Sequence, residues 1–503
     1  MRLHIAILTA TAYLFMSPAL QGQDIVDEAG MPETEWTPIA SSEEVGGPDY
    51  HAGELMTPEL CRSLALENNK ATSIARQNKL KSEATVKAYK ANYLPKFSIT
   101  GNYLYTQSDF EAKLEGNYLP TYVPDPATGE LVPNLLVGPG GTPVIGPDGN
   151  PIFQQYAYFP DIKLLFDLKN TWMAGLTAEQ PIYMGGKISS AYRMARIGNK
   201  VAELNMELTR AEVIVKADEA YWTCIKTREL VKLAQSYRDL IESLLRDVEN
   251  ARDVGLRHQN DVLKVQVKLN EAELQLRRAQ NGLKLAMMNL CFVTGLPLDA
   301  DVKLPESLDD AIAGELDIKR DYTGRPEYAM LEQQILLKEQ EIKLTRSDFL
   351  PQVGLAANYG YINGLEMNGT KLLDATSFSA LVSVNIPVFH WGEGRNKIKA
   401  AEAEKEIAKL QRENLGQMME LELAQAINKL DESLLEAEFT EKALKEAEEN
   451  LRVSENRYKT GMQTLSEFME AQSMWQNAYS QYIDALSRLQ LNHTYYLKAS
   501  GKL

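Results

Sequence analysis

The side chains of this 503-residue chain best suited to metal binding or nucleophilic catalysis are five histidines and three cysteines, and their spacing supports neither chemistry. His51, His258, His390 and His493 stand far apart, with no second histidine four positions on and no nucleophile grouped with a base. Cys61, Cys224 and Cys291 are odd in number and widely separated, which fits neither a disulfide framework nor a zinc site. They read as small buried apolar side chains. The runs Gly138-Pro-Gly-Gly-Thr-Pro and Gly146-Pro-Asp-Gly are not followed by Lys-Ser or Lys-Thr, so they build no phosphate-cradling loop. The 17 methionines are dispersed as packing residues and do not argue for copper. No enzyme activity, cofactor or metal is expected. A net charge of −16, with acid and base mixed along helical stretches, argues against nucleic acid as a partner.

Glycine and proline are the residues whose positions carry information, because they recur. Pro181 and Pro387, Gly255 and Gly461, and Gly295 and Gly501 are each 206 positions apart. An ungapped internal register of this length settles architecture before any local reading does. Each copy reads as helix, strand, loop, strand, long helix, turn, helix.

Four segments alternate with period two. Phe97, Ile99, Tyr103 and Tyr105 share one face of the first. Trp172, Ala174, Leu176 and Ala178 share one face of the second. Val353, Leu355, Ala357, Tyr359 and Tyr361 define the third, and Phe378, Ala380, Val382, Val384 and Ile386 the fourth. Each is about ten residues long, the length of a membrane-spanning β-strand, with Tyr and Trp near the ends. A soluble four-stranded sheet packed on the helices is the alternative, but it would need a covering element. Four strands cannot close a barrel, and an open edge is not tolerated in lipid. Two copies would give eight strands, which fill with side chains; three would give twelve, which leave a lumen. The strand pattern leaves both open. The first strand loop, 107–168, is about 50 residues longer than the second and rich in Pro and Gly. It reads as a turn-rich extracellular loop that covers a pore mouth or meets a surface partner.

The stretch from Lys187 to Asp253 contains no Pro and one Gly, and Asn396–Lys459 is comparable. About 66 helical residues span about 100 Å. Ile197, Val201, Leu204, Leu208, Ala211 and Val215 recur at alternating spacings of four and three. So do Phe468, Gln472, Trp475, Tyr479, Tyr482, Leu486, Leu489, His493 and Tyr496. A sustained 3.5-residue period implies left-handed coiled-coil packing. A solvated stalk without a lumen would share that seam. The junctions Pro181-Ile-Tyr-Met-Gly-Gly and Pro387-Val-Phe-His-Trp-Gly run each strand hairpin straight into a long helix, as a β-barrel continuing into a helical barrel would.

At the N-terminus, Arg2 is followed by an apolar run from Ile5 to Phe15 and by Ser17-Pro-Ala, which reads as a cleaved secretory signal. The expected organisation is a signal peptide over 1–22, a flexible acidic extension over 23–56 and a first repeat over 57–295. A linker near the waist over 296–323 and a second repeat over 324–503 complete it.

In this order, the chain resembles the TolC-type outer-membrane efflux family. The resemblance rests on the duplicated order of elements, on Tyr93-Leu-Pro and Phe349-Leu-Pro before the first strand of each half, and on the Pro-x-x-x-x-Gly junctions. It rests above all on the helical turns Asp253-Val-Gly-Leu-Arg-His-Gln-Asn-Asp and Lys459-Thr-Gly-Met-Gln-Thr-Leu-Ser-Glu. It implies a mostly α fold with a transmembrane β portion: a long coiled-coil helical barrel joined to four strands of a trimeric, twelve-stranded β-barrel. It further implies a homotrimer in outer-membrane lipid with a long periplasmic portion, a periplasmic adaptor, and an inner-membrane pump of RND or ABC type. The expected function is export, with small-molecule or drug efflux placed first. Type I protein secretion and a non-conducting outer-membrane scaffold are the alternatives.

The resemblance also assigns residues. Val254, Gly255, Leu256 and Arg257 in one turn, and Thr460, Gly461 and Met462 in the other, would dock the adaptor. Glu467 and Glu470, three apart on a helix, would form the acidic periplasmic constriction; judged on their own, they read as solvated surface glutamates. Asp261, Tyr458 and Gln463 would occupy the positions that latch the closed tip. A neutral amide at Gln463 makes no bidentate ion pair with Asp261, so the latch is expected to differ from one with arginine there.

Overall fold

The computed structural model describes residues 54–107, 110–305 and 320–503. The signal segment, the extension before residue 54 and the middle of the 296–323 linker lie outside the described residues.

The chain opens with α1 (Pro58–Asn68), capped by the Thr57 hydroxyl and carrying Pro58 in its first turn. Asn69 ends it and caps α2 (Lys70–Ala91). Strand β1 (Lys96–Leu104) follows, and its partner β8 (Thr171–Met184) lies beyond the long first loop. Helix α3 (Lys187–Asp253) then turns back as α4 (Gln259–Thr294). The second half repeats this order: α5 (Pro326–Ser347), the hairpin β9 (Gln352–Met367) and β10 (Thr370–Asn385), then α6 (Glu393–Lys459) and α7 (Leu465–Ala499). All four expected strands and both long helices are present. The long helices have 67 residues each, about 100 Å at 1.5 Å per residue.

The four main strands form one antiparallel sheet in the order β1-β8-β9-β10. β1 and β10 are its outer edges, and β1 is exposed throughout. Trp172 meets Tyr361 edge-to-face at 5.9 Å near the upper end of the sheet. No described helix is long and apolar enough to cross a membrane.

The first loop is more ordered than its Pro and Gly content suggests. Paired segments β2 (Phe110–Leu114) with β7 (Ile162–Asp167) and β3 (Asn117–Pro120) with β6 (Tyr156–Phe159) build a two-stranded stem. At its far end β4 (Tyr122–Pro124) pairs β5 (Leu131–Pro133), and the two Gly-Pro runs close further turns, with Gly138 N donating to Thr142 O and Gly146 N to Asn150 O. The glycines and prolines terminate short strands; they do not abolish them. The base of the stem is tied to the β9–β10 turn. Asn368, at φ 51, donates its N–H to Leu165 O, and its Oδ1 accepts from Leu165 N, both at 2.9 Å.

Along the helices, α2 and α4 both pack on α3, α5 and α7 both pack on α6, and α3 also meets α5 and α7. The apolar seams fill three cores. The first, where α1 meets α3 and the end of α4, buries Met56, Leu64, Tyr221, Ile225 and Leu290 with all three cysteines. Burial pushes the Cys61 and Cys224 thiols up to about 12. At this level Asp218 is fully buried and salt-bridged by the Arg62 guanidinium at 2.7 Å to each oxygen, while the Thr494 hydroxyl donates to it at 2.6 Å. Another core, Leu423, Ile427, Leu430 and Tyr496, joins α6 to α7. The remaining core lies at the turn end.

Gly295 and Gly501 end their helices at positive φ in tight places. A Cβ on Gly295 would lie 2.5 Å from the Asn68 side chain, and one on Gly501 would lie 2.7 Å from Arg325 N. At the strand-to-helix junctions, Gly185 (φ 61) and its repeat mate Trp391 (φ 50) take the same left-handed conformation.

Candidate functional site

The two helical turns have the same backbone. Leu256 N donates to Ala251 O at 2.8 Å and Gly255 N to Arg252 O; Met462 N donates to Arg457 O at 2.8 Å and Gly461 N to Tyr458 O. These bonds satisfy the last carbonyls of α3 and α6, and they require the left-handed residue that Gly255 (φ 77) and Gly461 (φ 71) supply. No atom lies within 4 Å of where a Cβ would stand on either glycine, so within the protomer the requirement is conformational. Val254, Leu256 and Met462 project from the turns 70–80% exposed. Apolar side chains so placed leave an uncovered surface at the tip.

The turns differ in how the next helix starts. Thr464 caps α7 with a complete capping box: its hydroxyl accepts from Glu467 N, and Glu467 Oε2 accepts from Thr464 N at 2.7 Å and from the Thr464 hydroxyl at 2.8 Å. These bonds hold the Glu467 carboxyl below the usual carboxylate range. His258, the repeat mate of Thr464, makes no side-chain cap. Glu467 therefore faces back to its own helix terminus. Glu470, one turn on, is exposed with no hydrogen-bond or ion-pair partner among the described residues.

The three residues expected to latch the tip make these contacts within the protomer. Gln463 Nε2 reaches Ser454 Oγ at 3.4 Å, within its own hairpin, and Asp261 lies 3.9 Å from Lys264. Tyr458 stacks on Phe468 with ring centroids 5.1 Å apart and planes 12° from parallel, and the Arg257 guanidinium lies 5.2 Å from the Tyr458 ring centroid. Burial raises the Tyr458 phenol, with the Arg257 charge opposing it. Phe468 in turn belongs to a buried core with Ile241, Val248, Val265 and Leu465, so the stack links both hairpins. The sequence reading placed Arg257 only on the docking turn. Its signal was the repeat: Arg257 lies 206 positions before Gln463, so the cation absent from one turn is present in the other.

The family model described as "Outer membrane efflux protein" matches residues 166–296 and 323–495, more than half of the chain. The chain belongs to the outer membrane efflux protein family. Its strands are the outer-membrane portion and its helices the periplasmic extension, and the family's members are channels, not catalysts. Similar solved structures include the Campylobacter jejuni CmeC outer membrane channel, at TM-score 0.67 and 17% identity, covering 97% of this chain and 94% of that one. CusC is similar at TM-score 0.67 and 14% identity, covering 90% and 99%. At these identities the likeness shows the fold. Among relatives of Pseudomonas aeruginosa, the alkaline protease secretion protein AprF is 26% identical over 242 residues, 44% of this chain and 47% of AprF. The pyoverdine export outer membrane protein OpmQ is 22% identical over 349 residues, 67% and 71% of the two chains. The chain thus spans about half the length of AprF, and 31% of the length of the outer membrane protein OprJ, at 26% identity over 29% of this chain.

Proposed function

We propose that three copies of this efflux protein close a twelve-stranded barrel and a twelve-helix tunnel, forming the exit duct of a tripartite exporter. The observation that carries this reading is the continuity of each strand pair into a helical hairpin: β8 enters α3 through Gly185-Gly186, and β10 enters α6 through Trp391-Gly392. β1 and β10 present unpaired edges that lipid does not tolerate, and a neighbour's β10 and β1 would cover them. The tip would face a periplasmic adaptor through Val254, Leu256 and Met462, with an inner-membrane pump of RND or ABC type beyond it. Glu470, and Glu467 where its cap releases it, would ring the closed end with carboxylates that favour cations. Arg257, Tyr458 and Phe468, with Asp261 and Gln463 alongside, would hold that end shut.

For cargo, small-molecule export has the longer-matching support, from OpmQ. Protein secretion is the second reading, favoured by the AprF match. In-cell photo-crosslinking from Met462, with captured proteins identified by mass spectrometry, tests both. An adaptor of a proton-driven small-molecule pump is the expected capture. An adaptor of an ATP-driven protein exporter would replace the first cargo reading with the second, and no adaptor captured by an intact trimer would remove the docking assignment.

A further inference from the structure

Because the chain is duplicated, each contact between its halves has a pair of counterpart residues elsewhere in the sequence. Strand β8 corresponds to β10 at the offset of 206, and β1 corresponds to β9 at 358 − 102 = 351 − 95 = 256. The counterpart of the within-chain seam β8–β9 is therefore the pair of bare edges, β10 and a neighbour's β1. In the helical portion, α3 packed on α7 has as its counterpart α6 beside the neighbour's α4.

Several polar contacts cross the within-chain seam. Asn358 Nδ2 donates to Thr177 Oγ1 at 2.9 Å, Lys226 is salt-bridged to Asp484 at 2.7 Å, and the Tyr495 hydroxyl donates to Glu219 at 2.7 Å. Their counterparts are Asn102 with Ser383, Glu432 with Arg278, and Gln425 with Asn289. Each is again a complementary pair, although in the second the charges have changed sides. All six of these side chains are exposed, and none has a side-chain partner among the described residues. The buried Asp218–Thr494 contact corresponds to Ala424 with Met288, which needs no polar partner at all.

The apolar positions agree. Val215 and Leu233 of α3 are buried, and Leu491 of α7 packs on the first core. Their counterparts Leu421, Phe439 and Leu285 are 59–67% exposed, as faces with an absent partner would be. At one level the two seams must differ. A Cβ on Gly185 would come within 2.7 Å of Ser347 O, and Trp391 stands at the corresponding position. The neighbour's α2–β1 joint must therefore stand farther out than the α5–β9 joint does.

We infer that the seam between copies repeats the seam within a copy, with Ser383 against the neighbour's Asn102 and Glu432 against the neighbour's Arg278. The inference rests on the trimer proposed above and supplies its register. The exchanged charges also select which halves meet. Pairing like halves would set Lys226 against Arg278, or Glu432 against Asp484, and so oppose like charges each time.

The test uses the full-length chain. In Asn102→Cys with Ser383→Cys, the new thiols would stand directly opposite each other across the seam, where Cα atoms about 4.5–5.5 Å apart suit a disulfide. The native cysteines are buried, so the introduced thiols are the reactive ones. Mild oxidation of membranes should give covalently linked trimers, whereas Asn102→Cys with Leu381→Cys, two residues out of register, should not. Arg278→Glu should lower the trimer fraction by native mass roughly tenfold, three weak repulsions acting together, and adding Glu432→Arg should restore it. Both side chains are exposed, so neither change should unfold the protomer. Linked thiols without rescue by Glu432→Arg would keep the strand register and remove the charge pair. If the protein is trimeric but the thiols stay unlinked and the charge reversal has no effect, the inference falls while the conduit stands. A native mass of one chain would overturn both.

Discussion

Replacing Arg257 by methionine separates charge from packing at the tip. Methionine keeps an apolar stem of similar length and removes the guanidinium that lies 5.2 Å from the Tyr458 ring centroid. A cation–π contact is worth about 0.5–1 kcal/mol at exposed sites and more when desolvated; with Tyr458 half-buried, about 1 kcal/mol per protomer is the working value. If the tip of a trimer opens as a unit, three contacts amount to about 3 kcal/mol, or about two orders of magnitude in the closed-to-open ratio. Single-channel recording in planar bilayers reads that ratio as open probability. Arg257→Met should raise it about a hundredfold from a rare-opening baseline, and Arg257→Lys should restore most of the closure. Tyr458→Phe keeps the ring and the Phe468 stack, and it should stay within about threefold of the parent. An unchanged open probability in Arg257→Met would refute the clasp. Opening in Tyr458→Phe but not in Arg257→Met would move the restraint to the phenol hydroxyl.

Glu470→Ala alone should remove most of the tip's cation preference, with Glu467→Ala adding little, because the Glu467 carboxylate is engaged by Thr464; reversal potentials across a salt gradient distinguish the two. Since the folded Glu467 carboxyl titrates below its ordinary value, its contribution to the α7 start is fully present above about pH 4.3 and is lost as pH falls through the lower folded value. Hydrogen exchange should therefore show the first turn of α7 fraying on acidification before that of α4. Thr464→Ala should cost about 1 kcal/mol and weaken that pH dependence without abolishing it, because the backbone N–H at 464 still donates to Glu467, whereas Glu467→Gln should abolish it; thermal melts and exchange at two pH values would show both. Arg62→Ala strips a fully buried Asp218 of its cation and should destabilise the helical portion by about 3 kcal/mol, read as a lowered Tm, whereas Arg62→Lys should recover part of the loss.

The duplicated order of elements, the strand faces and the helical seams were legible because periodicities of 2, 3.5 and 206 residues are written directly in residue type. Gly255 and Gly461 were legible for the same reason, since their turns need a left-handed residue whatever packs around them. The ordered stem of the first loop was not, because Pro and Gly mark turns without showing that segments between them pair across 40 or more positions, as Tyr118 and Tyr158 do. The Glu467 cap is written in the sequence as Thr464-x-x-Glu467, a spacing that the reading of Glu467 as part of an acidic constriction did not draw on. The Arg257 clasp depends on the relative rotation of two hairpins, and no local spacing encodes that. The Asp218–Arg62–Thr494 centre joins residues up to 432 positions apart in three helices, beyond the reach of any motif.

In the proposed trimer, the two bare edges of the β1-β8-β9-β10 sheet would also govern how the assembly comes into being. One protomer has no inter-chain seam. Joining a second makes one seam and still leaves two edges bare, whereas adding a third makes two seams at once and leaves none. The last association is therefore worth about twice the first in strand pairing, and it alone ends the exposure of unpaired backbone to lipid. Dimers should be scarce at every concentration, and a chain whose β1 or β10 edge is weakened, which weakens all three seams at once, should accumulate as monomer. For the proposed trimer, membrane entry and oligomerisation would in this sense be one cooperative event.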